Sequence, residues 1–207
     1  MKNKLTNESE ELKRYSTSDL IIIAIMAALG LGTKQIIRPI VSLVSQPLGI
    51  PGGAIVGGFY MLWLVLTKRL SPKFGSGFMF GLTQALVVMI LPFGSHGIFT
   101  IITYSLPGLA VDLINLLFRS QADSVICSMI EGAVANFVGS LSVILLIFQL
   151  ELEPTIFISL LALLTGNLGG ILAYYIAKQV AGSIYSDVKK EEKKDEEIPN
   201  IDVSSTN

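Results

Sequence analysis

Two cationic side chains, Lys34 and Arg38, stand four residues apart in an otherwise apolar run. This spacing places both on one face of a helix. A charge in apolar surroundings is costly unless the side chain reaches water, pairs with an acid or contacts a ligand. The pair therefore indicates either anchoring at a membrane interface or an electrostatic contact for an anionic or electron-rich ligand. Pro39 follows directly and predicts that the helix ends there, because proline disfavours the helical conformation in the residue before it.

A second set of polar side chains has the chemistry of a binding pocket. His96, the single histidine, lies in the turn LPFGSHG, where glycines permit close backbone approach, and Tyr104 follows soon after. Amides occur within three other apolar runs, at Gln84, Asn136 and Asn167. A buried amide must find hydrogen-bond partners, so these amides either line a polar cleft or join neighbouring helices. The histidine is either a ligand contact or an incidental loop residue.

The remaining reactive residues do not favour an enzyme. Asp112 and Glu131 are the acids deepest in apolar sequence, and they either pair within the structure, contact a partner protein or relay protons. Cys127, the single cysteine, is predicted to be a small buried apolar residue. Acids, histidines and cysteines form no cluster with metal-ligand spacing, and no GxSxG, HExxH or GxxxxGK[ST] motif occurs. We therefore predict no catalysis, no metal, no cofactor and no ATP hydrolysis by this chain.

Helices in a membrane must position these residues. Of the 207 residues, 51% are hydrophobic and only 15% are charged, whereas a soluble domain carries about a quarter charged residues. A helix needs about 20 apolar residues to cross a bilayer. The apolar runs near that length are residues 20–40, 53–67, 75–91, 98–118, 124–148 and 155–181. We predict an all-α membrane protein, a six-transmembrane-helix bundle in the plasma membrane.

The basic residues predict how this bundle is oriented. They precede the first run, separate the second from the third, and follow the fourth and the sixth, at Lys2, Lys4, Lys13, Arg14, Lys68, Arg69, Lys73, Arg119 and Lys178. The positive-inside rule then places both termini in the cytoplasm. Residues 1–19 are predicted to be a polar cytoplasmic N-terminus and residues 20–181 the transmembrane domain. Residues 182–207 are predicted to be a charged cytoplasmic tail, a frayed helix end followed by disorder. The net charge of −1 provides no field for nucleic acid.

Two further patterns bear on partners and ligands. The predicted outer connections SQPLGIPGGA and LPFGSHG are rich in glycine and proline, which predicts non-helical backbone bordering a water-filled pocket. Ala24, Ala28 and Gly32 recur at a spacing of four, so they share one helix face. Small residues allow another helix to approach closely. This face is either an internal packing seam or a docking face for a separate membrane protein.

Three stretches of the chain resemble the substrate-binding S components of energy-coupling-factor (ECF) vitamin transporters. They are PLGIPGGAIVGGFYMLWLVLTKRLSPKFGSG, GLTQALVVMI and GSHGIFTIITYSLPGLAVDL, and they are most similar to the hydroxymethylpyrimidine/thiamine permease type. The six spans and the small-residue stripe of the first span fit the same family. The resemblance covers residues 47–113 closely and the remainder only in the number and character of its spans.

The resemblance implies a division of labour between subunits. This chain would bind a water-soluble vitamin or precursor on its outer face, with ligand contacts at Gln84, His96 and Tyr104 by position. An ECF transmembrane scaffold subunit would dock against Ala24 and Ala28, and two cytoplasmic ATPase subunits would drive release inside.

The cationic pair Lys34 and Arg38 favours a neutral pyrimidine precursor or an anionic vitamin over thiamine itself. The alternatives are an autonomous proton-coupled carrier that titrates Asp112 or Glu131, and a membrane scaffold without a ligand. Carriers often contain internal repeats, and none is convincing here, which disfavours the carrier.

Overall fold

Six α-helices form the part of the protein that the computed structural model describes, which comprises residues 15–91, 97–118 and 124–196, with residues 183–196 as backbone only. In chain order they are α1 (Thr17–Ser45), α2 (Gly52–Leu70), α3 (Ser76–Ile90), α4 (Thr100–Leu117), α5 (Val125–Val143) and α6 (Leu152–Glu196). A short 3₁₀ turn, Gly97–Phe99, precedes α4, and a π-helical turn, Ile144–Phe148, continues α5. The prediction of an all-α protein is confirmed, since these ranges contain no strand.

Helix length and composition match a membrane protein. Five segments are long and apolar enough to cross a bilayer, namely Thr17–Ser45, Gly52–Leu70, Gly97–Leu117, Val125–Phe148 and Leu152–Gly182. Helix α3 is apolar but has only 15 residues, which gives it a length of about 22 Å against a hydrocarbon core of about 30 Å. The bundle therefore has five to six helices able to span the membrane.

The prediction that the first helix ends at Pro39 is wrong, because α1 continues through this proline to Ser45. Pro39 has no N–H to donate to the Gln35 carbonyl one turn earlier. The hydrogen bond from Ser42 Oγ to the Pro39 carbonyl, at 2.7 Å, is a separate contact and does not replace it. Gln35 and Arg38 also border a cavity, where an interrupted ladder of backbone hydrogen bonds is tolerated.

Helix α6 likewise runs past the predicted boundary at residue 182 and continues to Glu196. The rest of the predicted disordered tail, residues 197–207, lies outside the described residues.

Glycines let α2, α5 and α6 pack backbone against backbone. Gly58 of α2 lies against Gly169 of α6, and Gly132 of α5 lies against Gly166 of α6. A Cβ at Gly58 or Gly132 would overlap backbone atoms of α6, and such close approach is a common way for helices to associate in membranes. We call these four residues the glycine seam. On the other side, an apolar core joins α1 to the bundle through Ile23, Ala27, Leu64, Phe80, Val111 and Ala135.

Successive helices alternate in direction, so the bundle has two ends of different character. The ionic end contains the start of α1 and the ends of α2 and α4, and it is defined by Asp19, Lys68, Arg69, Lys73, Asp112 and Glu131. The cavity end contains the second half of α1, the start of α2 and the second half of α5, and it is defined by Lys34, Arg38, Tyr60, Tyr104 and Ser140. The cytoplasmic position of both termini stays a prediction.

Candidate ligand-binding cavity

A cavity of about 470 Å³ opens at the cavity end between α1, α2, α4 and α5. This volume is in the range of small-molecule sites, about 300–1,000 Å³. Its wall mixes charged, aromatic and neutral polar side chains, chiefly Lys34, Gln35, Arg38, Ser42, Ser45, Gln46, Tyr60, Thr103, Tyr104, Asn136, Ser140 and Phe148. Among the described residues, the wall contains no aspartate, glutamate, histidine or cysteine. Its fixed charges are therefore positive.

Lys34 contacts the two tyrosine rings of the cavity wall. Its Nζ lies 3.9 Å from the ring centroid of Tyr104 and 5.3 Å from that of Tyr60. A cation within about 6 Å of an aromatic face is attracted by the ring quadrupole, with an energy of about 0.5–2 kcal/mol. Helix α1 thus supplies the cation, and α2 and α4 supply the rings. The structure brings together Lys34 and Tyr104, which the sequence predicted as site residues, and adds Tyr60.

Asn136 and Ser140 lie one turn apart on α5 and differ in how their polar atoms are used. Asn136 Nδ2 donates to the Ala162 carbonyl and to Thr165 Oγ1, both at 2.9 Å. Its amide nitrogen therefore joins α5 to α6, although the residue borders the cavity. Ser140 is 5% exposed, and its buried Oγ has no hydrogen-bond partner among the described residues. A buried hydroxyl without a partner costs about 1–3 kcal/mol, which a ligand at this wall could recover.

Two predicted site residues lie away from the cavity. Gln84 is buried, and its Nε2 donates to the Ala27 carbonyl at 3.1 Å, which ties α3 to α1. Asn167 Nδ2 donates to the Leu163 carbonyl of its own helix at 3.0 Å. The structure therefore does not bring these amides to the cavity wall. His96 lies outside the described residues.

The connection between α1 and α2 borders the cavity, as predicted from its glycine and proline content. Its position on the outer side of the membrane stays a prediction. Gly49 has a φ of 63°, a left-handed conformation that favours glycine. This turn is closed by two backbone hydrogen bonds, from Gly49 N to the Gln46 carbonyl and from Ile50 N to the Ser45 carbonyl, both at 3.1 Å. Gln46, Gly49 and Ile50 line the cavity as a result. The other glycine-rich connection falls largely at residues 92–96, outside the described residues.

At the ionic end, Asp112 is engaged on two sides. Lys68 Nζ lies 2.8 Å from its Oδ1, and the two side chains are 1% and 0% exposed. The carboxylate also accepts hydrogen bonds from Gly77 N at 3.2 Å and Phe78 N at 2.9 Å. These N–H groups open α3, where an acid is stabilised by the helix dipole. Asp112 therefore pairs within the structure and joins α4 to α2 and α3.

Glu131 and Asp19 are paired in the same way. Glu131 forms a salt bridge with Arg69 and accepts a hydrogen bond from Asn115 Nδ2 at 2.9 Å. Asp19 lies 2.8 Å from Lys73 and accepts a hydrogen bond from Ser71 Oγ at 2.9 Å.

Two other residues complete this end of the bundle. Cys127 is buried, as predicted, with its Sγ 3.6 Å from Glu131 Oε1. Tyr15, which precedes α1, donates to the Phe74 carbonyl at 2.6 Å. Burial, and then the negative charges of Asp112 and Asp19, raise the pKa of Tyr15 to about 12. Its hydroxyl therefore remains a donor at physiological pH.

Ala24, Ala28 and Gly32 are all exposed on the surface of α1. A Cβ built at Gly32 would meet nothing within 4 Å. Because the described helices leave these three residues uncovered, the stripe is not an internal seam between them. Docking of a partner helix on this stripe stays a prediction.

Tyr60 and Ser140 line the cavity but were not singled out from the sequence. Tyr60 lies in the middle of the second apolar run, residues 53–67, so only its residue type, an aromatic side chain with a polar tip, could have drawn attention to it. Ser140 gives no such signal, because a serine in a membrane helix usually bonds a carbonyl of the preceding turn. That its hydroxyl has no partner among the described residues is apparent only from the three-dimensional structure.

Comparison with known proteins agrees with the membrane fold. Residues 18–138, from α1 to most of α5, match the family described as "ABC-type cobalt transport system, permease component". Neither a curated protein nor a solved structure matches the chain. Among the described residues, no group of three acids, histidines or cysteines could hold a metal ion. Because the match covers more than half of the 207 residues, the chain belongs to this family of transporter permease components and is a multi-pass protein of the cell membrane.

Proposed function

We propose that this protein is the substrate-binding S subunit of an ATP-driven importer of the ECF type, and that it captures a water-soluble vitamin or vitamin precursor on the outer face of the membrane. The observation that carries the proposal is the cavity of about 470 Å³, whose wall combines tyrosines, neutral polar groups and Lys34. Such a mixture suits a small organic solute. The family is a class of transporter components rather than of enzymes.

A bare cobalt ion fits this cavity poorly as cargo. Transition metals bind imidazole, carboxylate or thiolate ligands, and no described residue on the wall carries one of these groups. Lys34 and Arg38 add two positive charges, which repel a divalent cation. The cobalt of the family description is therefore not the cargo in this proposal.

Hydroxymethylpyrimidine or a related thiamine precursor is our best candidate for the cargo. Its flat ring can stack on the face of Tyr60 or Tyr104. Its ring nitrogens and hydroxyl can accept hydrogen bonds from the Lys34 ammonium, which has three donors. The buried Ser140 hydroxyl offers a further polar contact at the same wall.

Transport energy would come from other subunits. The chain has no GxxxxGK[ST] phosphate loop, and a permease component implies a complex. We propose that the ECF transmembrane scaffold subunit docks on the exposed stripe of Ala24, Ala28 and Gly32, where small residues permit close helix contact. Two cytoplasmic ATPase subunits would then drive a rotation of this subunit that releases the cargo inside.

The paired acids argue against the alternative of an autonomous proton-coupled carrier. That mechanism needs Asp112 or Glu131 to gain and lose a proton in each cycle. Asp112 is held by Lys68 and by the start of α3, and Glu131 is held by Arg69. Protonating either acid would leave a buried cation without its counter-ion, which is strongly unfavourable.

The test separates binding from transport. The purified chain in lipid nanodiscs would be screened against water-soluble vitamins and their precursors by thermal shift and native mass spectrometry, because a bound ligand stabilises the folded state by mass action. The chain would then be reconstituted in proteoliposomes with and without the scaffold and ATPase subunits. We expect binding by the chain alone and accumulation only with partners and ATP. Accumulation driven by a proton gradient without partners would favour the carrier, and a screen without any ligand would refute the proposal.

A further inference from the structure

We infer that Lys34 acts as a charge filter in the cavity: neutral or anionic heteroaromatic solutes bind, whereas cationic solutes, including thiamine, are rejected. The inference rests on the proposed function and adds the charge class of the cargo. It also assigns to one residue the selectivity of the site.

The ammonium group of Lys34 lies where a cationic solute would bind. Lys34 Nζ lies over the rings of Tyr104 and Tyr60, at 3.9 and 5.3 Å from their centroids. Aromatic faces of this kind attract ligand cations. Because a tethered cation already occupies both faces, a cationic solute must compete with a group of the same charge that cannot diffuse away.

The charge of the cavity wall also opposes the binding of a cation. The described lining residues include Lys34 and Arg38 but no carboxylate, so no acid on the wall is available to attract an incoming cation. Lys34 is only partly exposed, and water therefore screens its charge incompletely. Like charges a few ångströms apart in such a site oppose binding by about tenfold or more.

A neutral or anionic solute can gain hydrogen bonds from the Lys34 ammonium. The lysine side chain is flexible and carries three donors. It can leave the ring of Tyr104 to donate to a ring nitrogen, a hydroxyl or a carboxylate, and the exposed ring face can then stack against the solute. A cationic solute cannot use the ammonium in this way.

The experiment compares two solutes that share one aminopyrimidine ring. Hydroxymethylpyrimidine is neutral, whereas thiamine carries the same ring and a cationic thiazolium. Isothermal titration on the wild-type chain in nanodiscs should give an affinity for hydroxymethylpyrimidine at least about tenfold above that for thiamine. Lys34→Gln should reduce this ratio by about tenfold, whereas Lys34→Arg, which retains the charge, should preserve it. Lys178→Gln on α6 removes a lysine that does not line the cavity and should leave the ratio unchanged.

A second probe series keeps the test independent of the pyrimidine. Nicotinate is negative, nicotinamide is neutral, and 1-methylnicotinamide, methylated on the ring nitrogen, is positive, although the three share nearly the same ring. If the cavity binds this series, affinity should fall in that order. The inference is overturned if wild type binds the cationic member of either series as tightly as the neutral one, if Lys34→Gln leaves the ratio unchanged, or if the vitamin screen identifies a cationic ligand. These outcomes leave the proposed function intact. A screen that finds no ligand of any charge overturns the proposed function, and the filter with it.

Discussion

At the ionic end, Lys68 lies 2.8 Å from Asp112, and Arg69 and Lys73 pair with Glu131 and Asp19. At the cavity end, Lys34 faces two aromatic rings, and the described wall contains no carboxylate. Both groups of cations lie in or beside apolar helices. The first group joins helices through ion pairs, and the second leaves positive charge beside an open space. The role of a lysine in a membrane helix is therefore indicated by the group that it contacts rather than by its depth in the membrane.

The largest effect should come from breaking a pair at the ionic end. Asp112→Leu would leave Lys68 buried without a counter-ion and would remove the acceptor for the N–H groups that open α3. We expect a loss of about 3–5 kcal/mol in the free energy of unfolding, measured by denaturant titration in detergent. The double variant Lys68→Met/Asp112→Leu should recover most of this loss, because it removes both charges. If Asp112→Leu is as stable as wild type, the Lys68–Asp112 pair does not contribute to the stability of the fold.

A second effect, confined to transport, should follow from filling the exposed stripe of α1. Ala24→Leu/Ala28→Leu would block close approach of a partner helix, so ATP-driven uptake should fall by about tenfold or more. Ligand affinity measured on the chain alone should change by less than about twofold, because neither residue lines the cavity. Ala181→Leu, an exposed alanine on α6, is the matched control. Loss of ligand binding in the double variant would place the stripe in the packing of this chain.

A smaller effect should separate two serines of α5 at the cavity end. Ser140→Ala removes a hydroxyl that has no described partner, so ligand affinity should fall by about three- to tenfold, while the free energy of unfolding of the ligand-free chain should rise by about 1–3 kcal/mol. Ser142 Oγ donates to the Gly139 carbonyl at 2.8 Å, and Ser142 does not line the cavity. Ser142→Ala should therefore lower stability slightly and leave affinity unchanged. Equal affinities in wild type and Ser140→Ala would exclude Ser140 from ligand recognition.

The smallest effect should come from the most exposed pair of the ionic end. The side chain of Lys73 is 25% exposed, and that of Asp19 is 12% exposed. Lys73→Gln should cost less than about 1 kcal/mol, because water screens such a pair. The loss should shrink further at high salt, which unfolding curves at two salt concentrations would reveal. A cost equal to that of Asp112→Leu would contradict the distinction between buried and exposed pairs.

The helices could be predicted because long apolar runs alternate with connections that are either charged or rich in glycine and proline. Their ends were less predictable. Pro39 does not end α1, because the adjoining cavity tolerates the backbone hydrogen bond that Pro39 leaves unmade. A cavity between four helices cannot be recognised from the local sequence. The tail was expected to begin as a helix end, but the position of that end, Glu196, could not be located, because the last turns of α6 are charged rather than apolar.

The site was only partly predictable, because it depends on pairs of residues far apart in the chain. Lys34 and Tyr104 were each notable for their type and position, and the fold brings them together. Gln84 and Asn167 were equally notable, but their amides donate hydrogen bonds to backbone carbonyls. Gln84 donates to a carbonyl of α1, and Asn167 donates to a carbonyl one turn earlier in its own helix. A single sequence does not distinguish an amide that donates to a backbone carbonyl from one that is available to bind a ligand. The same limit applies to Ser140, which is distinguished by the absence of a hydrogen-bond partner in the described part of the chain.

The glycine seam has a consequence for how cargo can leave. Where Gly58 meets Gly169 and Gly132 meets Gly166, no side chain separates the backbones, so no rotamer change can open a path between α2, α5 and α6. Sliding one of these helices past another would bring larger residues into spaces that admit only hydrogen. In the proposed transport cycle, α2, α5 and α6 are therefore expected to move together as one block.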